Sequence, residues 1–385
     1  MADKSRQCSN GGRVSLEFRR LAIKSFIGYG FRQLTSYNHR GAMNIPGLLN
    51  ILKAGRGAVS LGIDIGAGQI KAVKAVSGTS GVKFSNVIKE NIVNGDAQAA
   101  FCRITAAFPE VKEVNLSISG SNSVVMRYIT MPQMDKKELF QALKFEASKY
   151  VPFPLEEVYF DAQIMSAGAP SDNKMQVLLA AARKELVNQR LEMAERAGVK
   201  VKCVDIDCLA VFNAFNAACP EALQSSGKRT FALLNIGEQN SNLDIIESGN
   251  LRLSRDLHQG AAKIIERISV VSSLNQASVS EALANGRQET QDEFGRAFSQ
   301  AVSELAMELR VSFDYYESQS SAAVSGIQLS GEASGWQGFV KQLSEVLGLT
   351  IEAWEPLRNY GIDALSAVPD GGKGFAVAAG LALRK

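Results

Sequence analysis

One pattern occurs twice in this chain and narrows the folds open to it. At residues 61–76, "LGIDIGAGQIKAVKAV" runs apolar to Asp64, turns at Gly66-Ala67-Gly68, and resumes an apolar alternation headed by Lys71. At residues 231–251, "FALLNIGEQNSNLDIIESGNL" repeats the design, and Asn235-Ile236-Gly237 falls where Asp64-Ile65-Gly66 falls, 171 residues further on. Two β-runs joined by a few residues containing Gly read as a hairpin. Spacing of this length fits a duplicated lobe better than a short tandem repeat. The expected architecture is α/β, with two lobes that each open on a Gly-turn hairpin and present both turns across one cleft.

The hairpins also carry chemistry. A tight Gly turn exposes consecutive backbone N–H groups, which form an anion-binding nest. An Asp at the strand end holds hydrated Mg²⁺ through oxygen, and a nearby Lys adds positive charge. A plain hairpin with no ligand is the alternative that these residues alone leave open. A third element, "IQLSGEASGWQGFVKQLSEVLGL", reads as a strand ending at Ser330-Gly331, a turn, and a helix burying Phe339, Leu343, Val346 and Leu347. Strand-turn-helix units present N–H groups toward a ligand. Finally, "GKGFAVAAGLALR" is a small-residue helix able to pack closely beneath the first hairpin, or a plain core helix.

Composition removes several function classes. The chain has 385 residues, enough for two or more compact units. Its five cysteines are odd in number and form no C-x-x-C pair, which suits reduced thiols and argues against a disulfide framework or a zinc site. Cys203 and Cys208 read as small core hydrophobes. The two histidines, His39 and His258, lie far apart, so a Ser-His or Cys-His hydrolase is not expected. No apolar stretch approaches the length that spans a bilayer. Residues 1–42 carry eight Lys/Arg against Asp3 and Glu17. Basic tails can seek membranes or nucleic acid. Here Gly11, Gly12, Gly28, Gly30 and Gly41 interrupt the segment and its apolar residues share no helical face, so 1–59 is expected to be a disordered leader. It lacks the apolar core of a signal peptide, and Met43 offers an alternative translation start.

Taken in order, these elements resemble the actin-like ATPase superfamily: first phosphate hairpin, second phosphate hairpin, adenosine turn, closing helix. Within it, residues 60–385 resemble the PilM family of type IV pilus assembly proteins, a relative of the FtsA division protein. The stretches that carry the resemblance include "SVVMRYITMPQM", "EASKYVPFPLEEVYFD", "VLLAAARKELV", "AERAGVKVKCVDID", "LRLSRDLHQGAAKIIERIS", "ELRVSFDYY" and "GLALR". "KYVPFPLEEV" is the most specific to that family. Pro152 and Pro154 stop the preceding helix. That helix starts at Asp135 and Glu138 in capping-box spacing and buries Leu139, Leu143 and Ala147.

The resemblance implies an actin-like ATPase fold, two lobes of mixed β-sheet flanked by helices around a nucleotide cleft. Lobe 1 would comprise 60–120, 200–228 and 357–385, with a strand-helix-strand-strand-helix subdomain inserted at 121–199 and lobe 2 at 229–356. It implies ATP and Mg²⁺ as weakly held ligands, with Asp64 on the metal and Gly66, Gly68, Lys71, Asn235, Gly237, Glu281, Gly331 and Glu332 around the nucleotide. Three positions depart from the family pattern. Asn235 stands where the second hairpin usually has Asp, Ala284 where a Lys grips the nucleoside, and Glu332 where the adenosine turn has Gly. No catalytic residue is assigned, and restoring all three is expected to rebuild nucleotide contacts without touching the core. The implied function is a cytoplasmic scaffold, peripheral at the inner membrane, that binds the cytosolic N-terminal peptide of a PilN-like single-pass protein. Pilus motor components are further implied partners, and nucleic acid is not. The alternatives are a division-type actin-like filament and, in another class, a small-molecule kinase of the same superfamily.

Overall fold

A computed structural model describes residues 57–78, 81–120, 122–167, 173–224, 229–286, 293–320, 322–358 and 368–384. The leader through residue 56, with Cys8 and His39, lies outside them. The chain divides into two compact units, one running to Asn213 and including Val377–Lys385, the other Ala214–Ala376.

The first unit begins with the predicted hairpin. Strands β1 (Val59–Ile65), β2 (Gln69–Gly78) and β3 (Gly81–Asn91) form an antiparallel meander. Helix α1 (Ala97–Ala106) follows, its first turn held by Asp96, whose carboxylate accepts from Ala99 N at 2.9 Å. Strands β4 (Glu113–Ile118) and β8 (Lys200–Ile206) complete the sheet in the order β3-β2-β1-β4-β8, with β1, β4 and β8 parallel. Its core joins Leu61, Ile63 and Leu116 to Phe101 and Ile104 of α1.

Between β4 and β8 stands a separate three-stranded sheet: β5 (Val124–Pro132), α2 (Lys136–Glu146), β6 (Val158–Ala167), β7 (Lys174–Arg183) and α3 (Lys184–Arg196). The expected capping box is formed: Asp135 accepts from Glu138 N at 2.8 Å, and Glu138 accepts from Asp135 N at 3.1 Å. Leu139, Leu143 and Ala147 lie in the core of this sheet, as the helical spacing predicts.

After β8 come α4 (Asp207–Ala218) and α5 (Pro220–Gln224). The closing helix α10 (Ala376–Ala382) passes so near β1 that a Cβ on Gly62 would overlap Ala378 O and Ala382 N. Only glycine permits that approach. Asn115 Nδ2 donates to Leu381 O at 2.9 Å, and Arg384 forms a fully buried ion pair with Asp205 at the end of β8.

The second unit repeats the scheme. Strands β9 (Thr230–Ile236), β10 (Ser241–Glu247) and β11 (Asn250–Leu257) form an antiparallel meander extended by parallel β12 (Gly326–Gly331) and β13 (Thr350–Ala353). The sheet order, β11-β10-β9-β12-β13, is the first sheet's order over again. Helices α6 (Ala261–Ser272), α7 (Gln276–Asn285), α8 (Glu293–Gln319) and α9 (Phe339–Leu347) cover one face, burying Leu234, Leu243 and Ile245 against Val302, Leu305 and Phe339.

Candidate functional site

The two predicted turns have the same form. Each is a short loop between paired strand positions, Ile65 with Ile70 and Ile236 with Ser241. In each the leading glycine closes the loop: Gly66 N donates to Gln69 O at 2.9 Å, and Gly237 N to Asn240 O at 3.1 Å. The equivalence extends into the strands. Asp64 lies directly across from Lys71, and Asn235 directly across from Asn242. What is a carboxylate facing an ammonium in the first unit is an amide facing an amide in the second.

Asp64 is half-buried, and Lys71 is 8% exposed. A residue that sequence reasoning passed over completes this end of the first unit. Arg190, on α3, donates through Nη2 to Ile65 O at 3.3 Å, at the base of the Gly-Ala-Gly turn. Burial pulls its guanidinium below the usual value, and the carboxylates of Asp207 and Asp64 act against that pull. Asp207 is the first residue of α4. Its acidic position at a helix start was visible in the sequence, but nothing there linked it to Asp64.

In the second unit Asn235 is 6% exposed and belongs to a polar row running across four strands. Ser330 Oγ donates to Asn235 Oδ1 at 3.1 Å, Asn235 Nδ2 donates to Asn242 Oδ1 at 3.2 Å, and Asn242 Nδ2 donates to Asp256 Oδ1 at 2.8 Å. The register places these four residues side by side on β12, β9, β10 and β11. This corrects the expectation that position 235 can change without touching the core. Asn235 both donates and accepts in a buried row, and an ionised Asp cannot do both.

Gly331 ends β12 at φ +93°, stacked so tightly on Ile236 that a Cβ would overlap its backbone. The chain then enters a short 3₁₀ turn, Glu332–Gly335, where Ser334 Oγ donates to Gly331 O at 2.7 Å. Gln337 N donates to Leu283 O at 2.9 Å, which fastens α7 to the turn. Glu281 and Ala284, on the same helix, are exposed. The structure thus brings Asn235, Gly331 and Glu332 together through β9–β12 pairing and joins the helix of Glu281 to them. Asp64, Gly66, Gly68 and Lys71 gather in the first unit. A second residue missed in the sequence is Lys373, whose Cδ and Nζ lie within van der Waals contact, 3.4 and 3.5 Å, of where a Cβ on Gly335 would stand.

The N-terminal amides of α6 are already occupied: Ala261 N donates to Gly237 O at 2.8 Å and Ala262 N to Glu238 O at 2.9 Å. This helix end therefore braces the second turn. Among the described residues no group of three or more His, Cys, Asp or Glu is placed to hold a metal. A Mg²⁺ at Asp64 would take its other ligands from phosphate and water, the usual manner of that ion. The donor set of the first turn fits a metal-bound phosphate. Burial raises the Cys203 thiol to about 12, which leaves it inert in the core, as expected.

The model of the family described as type IV pilus assembly protein PilM matches residues 62–385. The chain belongs to the PilM family. A solved PilM–PilN type IV pilus biogenesis complex is similar over 84% of this chain and 97% of its own, at 26% identity and a TM-score of 0.71. The ethanolamine utilization protein EutJ from Carboxydothermus hydrogenoformans is similar over 85% of this chain and 90% of its own, at 12% identity and a TM-score of 0.48. MreB5 of Spiroplasma citri bound to ADP is similar over 84% of this chain and 94% of its own, at 13% identity and a TM-score of 0.43. The fold of this PilM-family chain is the actin-like ATPase fold that the resemblance implied. Among the described residues no helix is long and apolar enough to cross a membrane.

Proposed function

We propose that this PilM-family chain is a cytoplasmic scaffold of type IV pilus assembly, or of a related secretion platform, that binds the cytosolic N-terminal peptide of a PilN-like protein. The observation that carries this reading is the family match over residues 62–385 together with similarity to a PilM solved as its complex with PilN. Peptide binding to a groove or sheet edge needs no catalysis. Association with the inner membrane then comes through the partner, and pilus motor components are candidates for further contact. The lobe assignment of 60–120, 200–228 and 357–385, the inserted 121–199 and the second lobe at 229–356 belongs to the same proposal. It is supported by the separate three-stranded sheet and the duplicated five-stranded order.

The nucleotide site is weakened in this reading. Asp64, Gly66, Gly68 and Lys71 would hold Mg²⁺ and phosphate, while Asn235, Gly237, Glu281, Gly331 and Glu332 would line the rest. A bound Mg²⁺ would screen phosphate charge. Support for weakness comes from the commitment of Asn235 to Ser330 and Asn242 and from the negative charge of Glu332 at the turn. Lys373 beside Gly335 supplies part of the positive charge that Ala284 lacks. A filament or kinase reading has no observation in its favour.

The test is titration calorimetry with a synthetic peptide of about ten residues from the cytosolic head of the neighbouring PilN-like protein. Micromolar affinity, about −8 kcal/mol, is expected. Absence of heat, with no competition by excess peptide against the full-length partner, would overturn the scaffold reading.

A further inference from the structure

We propose that Arg190 is a second counter-cation of the first turn, alongside Lys71, a positioning residue that props the Gly66–Gly68 loop and tunes how strongly Asp64 attracts a divalent ion. The proposal deepens the nucleotide-site reading above and concerns only the first unit.

Three observations support it. Arg190 Nη2 donates to Ile65 O at 3.3 Å, so α3 grips the last strand residue before the turn. Its Nε is buried without a hydrogen-bond partner, so the guanidinium is not held by a full set of neutral acceptors. Its charge interacts with the carboxylates of Asp207 and Asp64, which come from different elements, the start of α4 and the end of β1. A half-buried cation with one carbonyl contact and a buried, unpaired Nε carries a desolvation cost. What offsets that cost is the pair of carboxylates, whose negative charge it partly balances in turn. A divalent cation arriving at Asp64 therefore meets a charge already in place.

The experiment uses the full chain and Mn²⁺ alone, read by electron paramagnetic resonance, with no nucleotide and no peptide. Arg190→Gln keeps an N–H donor for Ile65 O and removes the charge, so it separates propping from neutralisation. It should bind Mn²⁺ at least tenfold more tightly than the wild type, and Arg190→Lys should stay within threefold of wild type. Adding Asp64→Asn to Arg190→Gln should cancel the gain. Unchanged Mn²⁺ affinity in a folded Arg190→Gln or Arg190→Met protein overturns the proposal, as does a gain that survives loss of Asp64. If neither neutral variant folds while Arg190→Lys does, charge neutralisation is supported as essential to this turn. If Lys also fails, Arg190 is a packing residue and the proposal is wrong. Because no partner peptide or ATP enters the assay, failure of the scaffold reading would leave these outcomes intact.

Discussion

Replacing Asn235 with Asp restores the carboxylate that the family resemblance places in the second hairpin, and the structure sets what this costs. Asn235 Nδ2 now donates to Asn242 Oδ1 at 3.2 Å, while the amide nitrogen of Asn242 is engaged by Asp256 at 2.8 Å. An ionised carboxylate at position 235 would turn an acceptor toward an acceptor. Rotating the Asn242 amide would only move the conflict to Asp256. The loss is one neutral hydrogen bond, about 1 kcal/mol, plus a buried acceptor left unpaired, about 1–3 kcal/mol. We therefore expect Asn235→Asp to destabilise the protein by roughly 2–4 kcal/mol at pH 7.5 in EDTA. A protonated carboxyl can donate to Asn242, so the folded state raises the pKa of the introduced group above its unfolded value. Stability relative to the wild type should then be nearly restored around pH 4.5 and fall by up to about 1.4 kcal/mol per pH unit as the pH climbs. Urea unfolding at several pH values measures this directly. Millimolar Mg²⁺ should recover part of the loss at neutral pH if the hairpin lies beside a metal site. A variant within about 0.5 kcal/mol of wild type at pH 7.5 without metal would refute the reading of the polar row, since surface changes fall in that range.

Three further outcomes are expected. Asp244 is fully buried, accepts from Ser254 Oγ at 2.5 Å, has Oδ2 unpaired, and is raised well above the usual carboxyl value by burial. Its folded state keeps a proton that the unfolded chain releases, so above about pH 4 the wild type should lose up to about 1.4 kcal/mol per pH unit against Asp244→Asn, seen in paired urea titrations. Arg384→Met strands the fully buried Asp205 and should cost about 3–5 kcal/mol, while Arg384→Met combined with Asp205→Asn should cost clearly less by the same assay. ATP turnover should match an Asp64→Ala control in a coupled phosphate-release assay, and a wild-type rate abolished by that change would restore a catalytic role.

Much of the frame was legible in the sequence because its signals are local. A Gly turn between alternating runs makes a hairpin wherever it occurs, and Asp135 with Glu138 forms a capping box within one helical turn. The repetition of Asp64-Ile65-Gly66 as Asn235-Ile236-Gly237 pointed to a duplicated lobe, and the structure adds that the two sheets share one strand order. What the sequence left undecided was the company each residue keeps. Asn235 read as an absent carboxylate. Only register across β12, β9, β10 and β11, which pairs it with Ser330 95 residues away, makes it part of a buried row. Arg190 sits in a helix whose alternation suggests an ordinary solvent-facing cation, and its contact with Ile65 spans 125 residues. Lys373 belongs to a glycine-rich segment with no periodicity, yet it lies over Gly335. Backbone propensity and turn chemistry act over a few neighbours. Pairing, burial and charge act through space, and here the tertiary structure alone brought Asp64, Arg190 and Asp207 together.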